Sequence, residues 1–299
     1  MGSTSLRETL PRKENPEDLD AAAAELVQAL GLGQTLFRSL KTEMTRFLPP
    51  WRTLLPAEHG SWFMLGFPMV LGLLLRPTAA ALCLALAALG LFLARPPLRR
   101  LRTGQREGAQ VRALLLCAGL ALAFGAGALV LAGPRFLAPL AAVAPLIVLA
   151  LRADAQRAVR SLAVELAAQG AFAGLAAAML TAGGATLAEA GRAWVLVTLV
   201  GGANLAHVRR LLGHAHGLAD AELRRRARPV HALHLLLLGA SAGLLAPRGP
   251  AGLVWTAWTG LLYLRALQPW RPLAARTLGW REGALSAVGL VVLWRALAG

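Results

Sequence analysis

A chain of 299 residues with 57% hydrophobic and only 15% charged residues has too little polar surface to cover a soluble fold. Its net charge of +16 would suit a nucleic-acid partner, but the basic residues fall between long apolar blocks, where membrane topology accounts for them. No Walker loop, dinucleotide glycine fingerprint or nucleophile elbow occurs, so soluble-enzyme chemistries lack support and no cofactor is expected.

The first twenty residues are polar and mixed in charge, without the apolar core of a secretory signal, so this segment is expected to stay in the mature protein. Asn15-Pro16-Glu17-Asp18 has the N-cap, N1 proline and early acids that start a helix. Leu26, Leu30, Gly33, Phe37, Leu40, Met44 and Phe47 then recur at spacings of four and three until Pro49-Pro50. Residues 1–55 thus read as a cytoplasmic arm with an amphipathic helix on the inner leaflet; a cytosolic packing helix would carry the same stripe.

Residues 56–299 read as an all-α polytopic membrane bundle of about nine transmembrane helices. The apolar blocks are 61–75, 77–94, 111–132, 136–151, 163–180, 193–206, 230–246, 251–267 and 284–298. Crossing about 30 Å of hydrocarbon takes roughly 20 residues, so the shorter blocks must borrow flanking residues. Alternate connections differ sharply in charge, with 26 Lys and Arg on one side against Arg76, Arg135, Arg192, Arg248 and Arg295 on the other. That bias places the N-terminus inside and the C-terminus outside.

Glu58 and His59 sit at the mouth of the first span, with Trp62 just within it. A carboxylate at a helix start and an aromatic in the interfacial belt are equally a structural pattern. Cys83 and Cys117 lie within apolar blocks, where a thiol packs as a small hydrophobe. Arg95 ends the second span. Arg152, Asp154, Arg157 and Arg160 precede the fifth, which carries Glu165 and Gln169 one turn apart. An acid inside the bilayer edge suggests function, and an Arg160 to Glu165 pair is the structural alternative. Gly170 and Gly174 mark close helix packing. Arg-Glu-Gly-Ala at 106–109 and 281–284 is explained by helix-start charge.

Five of the six histidines fall between residues 207 and 234. His214-x-His216 and His231-x-x-His234, with His207 or Asp220, have spacings a metal accepts, but imidazoles are also tolerated at an interface and no thiolate or HExxH pattern accompanies them. No metal is assigned. Arg95, Arg152, Arg209 and Arg210, at the inner ends of spans two, four and six, form a candidate ring for a phosphate or carboxylate, although loops facing anionic lipid are basic in any case.

Pro56, Glu58, His59, Gly60 and Trp62 resemble the opening signature of the YwiC-like family of bacterial integral membrane proteins. The similarity extends through Arg95-Pro96, the Arg152 to Glu165 stretch, Val208-Arg209, and Gly279 with Glu282. It implies a multi-pass protein of the bacterial cytoplasmic (inner) membrane and supplies location better than activity; the N-terminal arm is additional to the family pattern. Pro68-x-x-x-Gly72 is similar to the first helix of the UbiA prenyltransferase superfamily, which implies nine helices with functional loops after the second and sixth. Those enzymes carry Asp-rich magnesium motifs where this chain has Arg95-Pro96-Pro97 and Asn204-x-x-His207-x-Arg209-Arg210, so the resemblance implies the scaffold with a cationic site.

The expected function is a transferase acting on a lipid-linked or small anionic substrate, with membrane lipids as partners. Arg95, Arg152, Arg209 and Arg210 would hold the anion, with Trp62, Asp154 and Asn204 beside them. Glu58 or Glu165 would be the base and His59 or His207 its partner. A transporter lined by Glu165, Gln169 and Asn204, and a non-catalytic scaffold or assembly factor, are the alternatives.

Overall fold

A computed structural model describes residues 59–104, 108–155, 161–268 and 275–299; the amphipathic helix expected in the N-terminal arm lies outside them. The described residues form nine α-helices and two short 3-10 turns: α1 (His59–Leu75), α2 (Ala79–Arg102), α3 (Gly108–Ala132), α4 (Leu137–Ala155), α5 (Leu162–Ala182), α6 (Leu187–Ala215), α7 (Asp220–Leu244), α8 (Pro250–Leu267) and α9 (Ala275–Ala298). Each apolar block corresponds to one helix.

Several helices outrun their blocks because polar residues cap or extend them. Thr78 accepts a hydrogen bond from the Ala81 amide at the start of α2, which continues through Pro96 and Pro97 to Arg102. Thr186 and Glu189 form a reciprocal capping box at the start of α6, which runs on as far as Ala215. Only residues 216–219 therefore separate α6 from α7.

By length and composition, six of the described helices can cross a membrane: α2, α3, α4, α5, α6 and α7. The apolar part of α1 is shorter, Trp62–Leu75. Among the described residues, α8 and α9 hold no stretch of crossing length that is as apolar.

The hub is α5, which packs on α1, α2, α4 and α6. Its sequence allows this because Gly170, Ala173, Gly174, Ala176, Ala177 and Ala178 are small and buried, and between membrane helices close van der Waals packing does the work that water exclusion does elsewhere. A Cβ on Gly174 would come within 2.7 Å of Val143, and one on Gly170 within 2.9 Å of Leu146, so α4 seats two side chains in the notch expected from the glycine spacing. The buried Gln169 lies over Gly201 of α6 and donates to the Val197 carbonyl at 3.3 Å. It cross-links two helices.

From α6 the helices pack in sequence through α9, which returns to α1. The Trp294 indole closes that circuit by donating to the Leu74 carbonyl at 3.1 Å. On the other flank α3 packs on α2 through Ala113, Cys117, Ala121 and Ala128 and leaves Leu115, Leu122 and Val130 exposed, the surface a bilayer would cover.

Candidate functional site

The antiparallel order brings the starts of α5, α7 and α9 to the same end of the bundle as the last turns of α6 and α8. Ser161 caps α5, its hydroxyl accepting from the Val164 amide at 3.3 Å, and places Glu165 in the first turn, where the positive end of the helix dipole favours a carboxylate. Arg209, in the last turns of α6, meets it with Nη1 to Oε2 at 2.6 Å. The Arg160 alternative lies outside the described residues.

Beside this pair opens a cleft of about 370 Å³ lined by Leu162, Ala206, Arg209, Glu222, Arg225, Arg226 and Pro229. Arg226 is fixed twice: Nε donates to Glu222 Oε1 at 3.0 Å, and Nη1 donates to the Arg209 carbonyl at 3.3 Å, tying α7 to α6. Arg225, 81% exposed, approaches Glu222 only to 3.9 Å. Three arginines and Glu222 thus line the cavity together with the apolar Leu162, Ala206 and Pro229, while Glu165 pairs with Arg209 beside it, a set that suits a multiply charged oxyanion.

The opposite face of α6 builds a different environment. His207 is buried, with its ring 6.1 Å from that of His234. His234 donates from Nδ1 to the Val230 carbonyl at 2.8 Å and stacks on Tyr263, which His231 meets edge-on. Arg210 donates to the Ala266 carbonyl at 3.2 Å. Nearby, Arg265 of α8 and Glu282 of α9 form a tight ion pair almost closed to solvent.

Of the residues expected to form a site, Glu165 and Arg209 meet at the cleft, whereas His207 and Arg210 turn to the other side of α6. Asn204 is half-buried on the same helix. Arg95 is half-buried on α2, and Arg152 is exposed at the end of α4; neither lines the cleft, where the companions of Arg209 are Arg225 and Arg226. Trp62 packs edge-to-face on Phe92, ring centroids 4.9 Å apart, between α1 and α2. Glu58 lies outside the described residues, as do the side chains of His59 and Asp154.

The histidine spacings do not converge either. The His216 Nδ1 bonds the Leu212 carbonyl at 2.6 Å, and His231 and His234 flank Tyr263. Among the described residues no three His, Cys, Asp or Glu side chains gather as a metal site requires.

Sequence reasoning passed over Glu222, Arg225 and Arg226 because residues 207–229 read as a basic loop, and basic loops are explained by topology. The i,i+4 spacing of Glu222 and Arg226 was the available signal that this stretch is helical. The Arg265–Glu282 pair had no local signal, since its members are 17 residues apart on different helices.

No curated protein and no solved structure matches the chain. The match to a family model ends short of Arg209 and Glu282, to which the sequence resemblance had been extended, and leaves α6 to α9 unmatched. It takes in α1 to α4 and nearly all of α5, together with the Pro56 to Trp62 signature: over residues 55–180 the chain is similar to the family described as YwiC-like protein.

Proposed function

We propose that this is a transferase of the bacterial cytoplasmic membrane that binds a lipid-linked or small anionic substrate at the cytoplasmic mouth of a nine-span, UbiA-like bundle formed by residues 56–299. Residues 1–55 form its cytoplasmic arm. The observation that carries this reading is the α5–α6–α7 cleft, where Arg209, Arg225 and Arg226 surround a cavity beside Leu162, Ala206 and Pro229. The charge asymmetry of the loops supports assigning that end to the cytoplasm, with the C-terminus outside.

In this reading the substrate anion takes Arg209 from Glu165. The freed carboxylate then serves as general base or proton site. Arg210 holds α6 against α8, and His207, buried beside His234 on the other side of α6, packs that seam and does not face the freed carboxylate. Arg95 and Arg152, on neighbouring helix ends, draw anions toward the mouth. From the sequence alone, Glu58, His59, Trp62, Asp154 and Asn204 are assigned to the same substrate site. A magnesium-diphosphate site of the usual prenyltransferase kind does not fit, because the cleft presents guanidiniums where that metal needs carboxylates.

The test is lipid mass spectrometry on cells carrying the wild-type, Arg209→Ala or Glu165→Gln protein as the sole copy. Both variants are expected to change the lipid profile. If both insert normally and neither changes it, the transferase reading fails. A transporter would instead show Glu165-dependent uptake in proteoliposomes, but Gln169, sealed over Gly201, weighs against a path along α5. A scaffold would keep its co-purifying partners in both variants.

A further inference from the structure

We propose that the α5–α6–α7 cleft is a phosphate site and that Glu222 is its built-in placeholder, a carboxylate that a phosphate group displaces from Arg226 and Arg225. This rests on the anion-binding reading above and specifies its ligand as a phosphate monoester or inorganic phosphate.

The argument starts from where the charges lie on α7. Arginines stabilise a helix near its C-terminus and are disfavoured near its N-terminus, where the dipole is positive. Here Arg224, Arg225, Arg226 and Arg228 all lie in the first three turns of α7. The acids on hand offset part of this. Glu165 engages Arg209 at 2.6 Å and Glu222 engages Arg226 at 3.0 Å, while Arg225 stands 3.9 Å from Glu222 with most of its surface in solvent.

A ligand carboxylate entering this cleft would exchange one single charge for another and gain little over Glu222. A phosphate monoester carries about −1.5 to −2 charges at pH 7 and three acceptor oxygens, enough to bridge Arg225, Arg226 and Arg209 together. Two of the three receiving groups are already oriented, since Arg226 is held by the Arg209 carbonyl at 3.3 Å and Arg209 by Glu165, and Arg225 is the one the ligand has to order. The ordering left for the ligand to impose is that of one side chain. The apolar wall of Leu162, Ala206 and Pro229 gives a phosphorylated lipid a surface that a free phosphate would leave uncovered.

The experiment uses the full chain in phosphatidylcholine nanodiscs, titrated with inorganic phosphate and with acetate, and in a second arm nanodiscs doped with phosphatidic acid. Phosphate is expected to bind and acetate to bind at least tenfold more weakly. Glu222→Gln is expected to tighten phosphate about tenfold, a gain that misfolding cannot mimic, and Arg225→Ala/Arg226→Ala to abolish binding. A stronger response to phosphatidic acid than to phosphate assigns the site to a lipid, and the reverse to a soluble ligand. Equal binding of acetate and phosphate, no gain in Glu222→Gln, or unchanged binding in the double variant would overturn the proposal. The two readings fail separately. Loss of this proposal with an altered lipid profile in Arg209→Ala leaves the transferase standing, whereas phosphate binding with an unaltered profile retires the transferase and keeps the site.

Discussion

The Glu165–Arg209 and Glu282–Arg265 pairs have the same construction in different surroundings. Each joins an acid in the early turns of one helix to an arginine in the late turns of its antiparallel neighbour, at the same end of the bundle. In the first pair both side chains keep about a quarter of their surface, 26% and 28%, and border a cleft; in the second the values are 7% and 15%. Water and ligands reach one pair and not the other. A buried pair that loses a member strands a charge, whereas a half-exposed pair can change partners at modest cost. The first is therefore suited to exchange with a substrate, and the second to holding α8 against α9.

Truncating the sealed pair should have the largest effect. Glu282→Ala or Arg265→Ala is expected to cost about 3–5 kcal/mol, read as a large drop in thermal midpoint in detergent. Replacing both at once with Met and Leu should restore stability to within about 1 kcal/mol, since shape is kept and no charge is left alone. If the single truncations are tolerated, the contrast between the pairs collapses.

A double-mutant cycle on Glu165→Gln and Arg209→Ala should give a smaller coupling, about 1 kcal/mol. It should shrink as salt rises, while the coupling of Glu282 to Arg265 stays nearly constant, because screening acts on exposed charges and barely on buried ones. Equal salt dependence of the two couplings would mean that they differ in geometry alone.

How much of this was legible from the sequence follows from the same contrast. The nine apolar blocks and the glycine notch of α5 were readable because hydrophobic runs and small-residue spacing are local. Glu165 and Arg209 were each singled out, as an acid near a membrane edge and a base at a helix end, but their contact was not. Pairing across 44 residues depends on which faces α5 and α6 present to one another. That is decided by Gln169 seating on Gly201, a tertiary fact. Arg225 and Arg226 were hidden by a sound rule applied too widely: basic residues at the cytoplasmic side need no special cause, so a cluster with a cause reads the same as one without. His207 was singled out for its chemistry, but which face of α6 it occupies is not local information when that helix runs 29 residues past several neighbours.

The smallest expected change in stability is at Arg225, and it is the most informative about the cleft. With its side chain 81% exposed and its nearest acid oxygen at 3.9 Å, Arg225→Ala should alter stability by no more than about 0.5 kcal/mol. The paired arginines cannot be removed so cleanly, because Arg226 and Arg209 also bind α7 to α6 and α6 to α5. A loss of phosphate binding in Arg225→Ala at an unchanged thermal midpoint would therefore separate recognition from architecture within one cleft. A drop in stability matching that of Arg226→Ala would instead place Arg225 among the ties that hold the bundle end together.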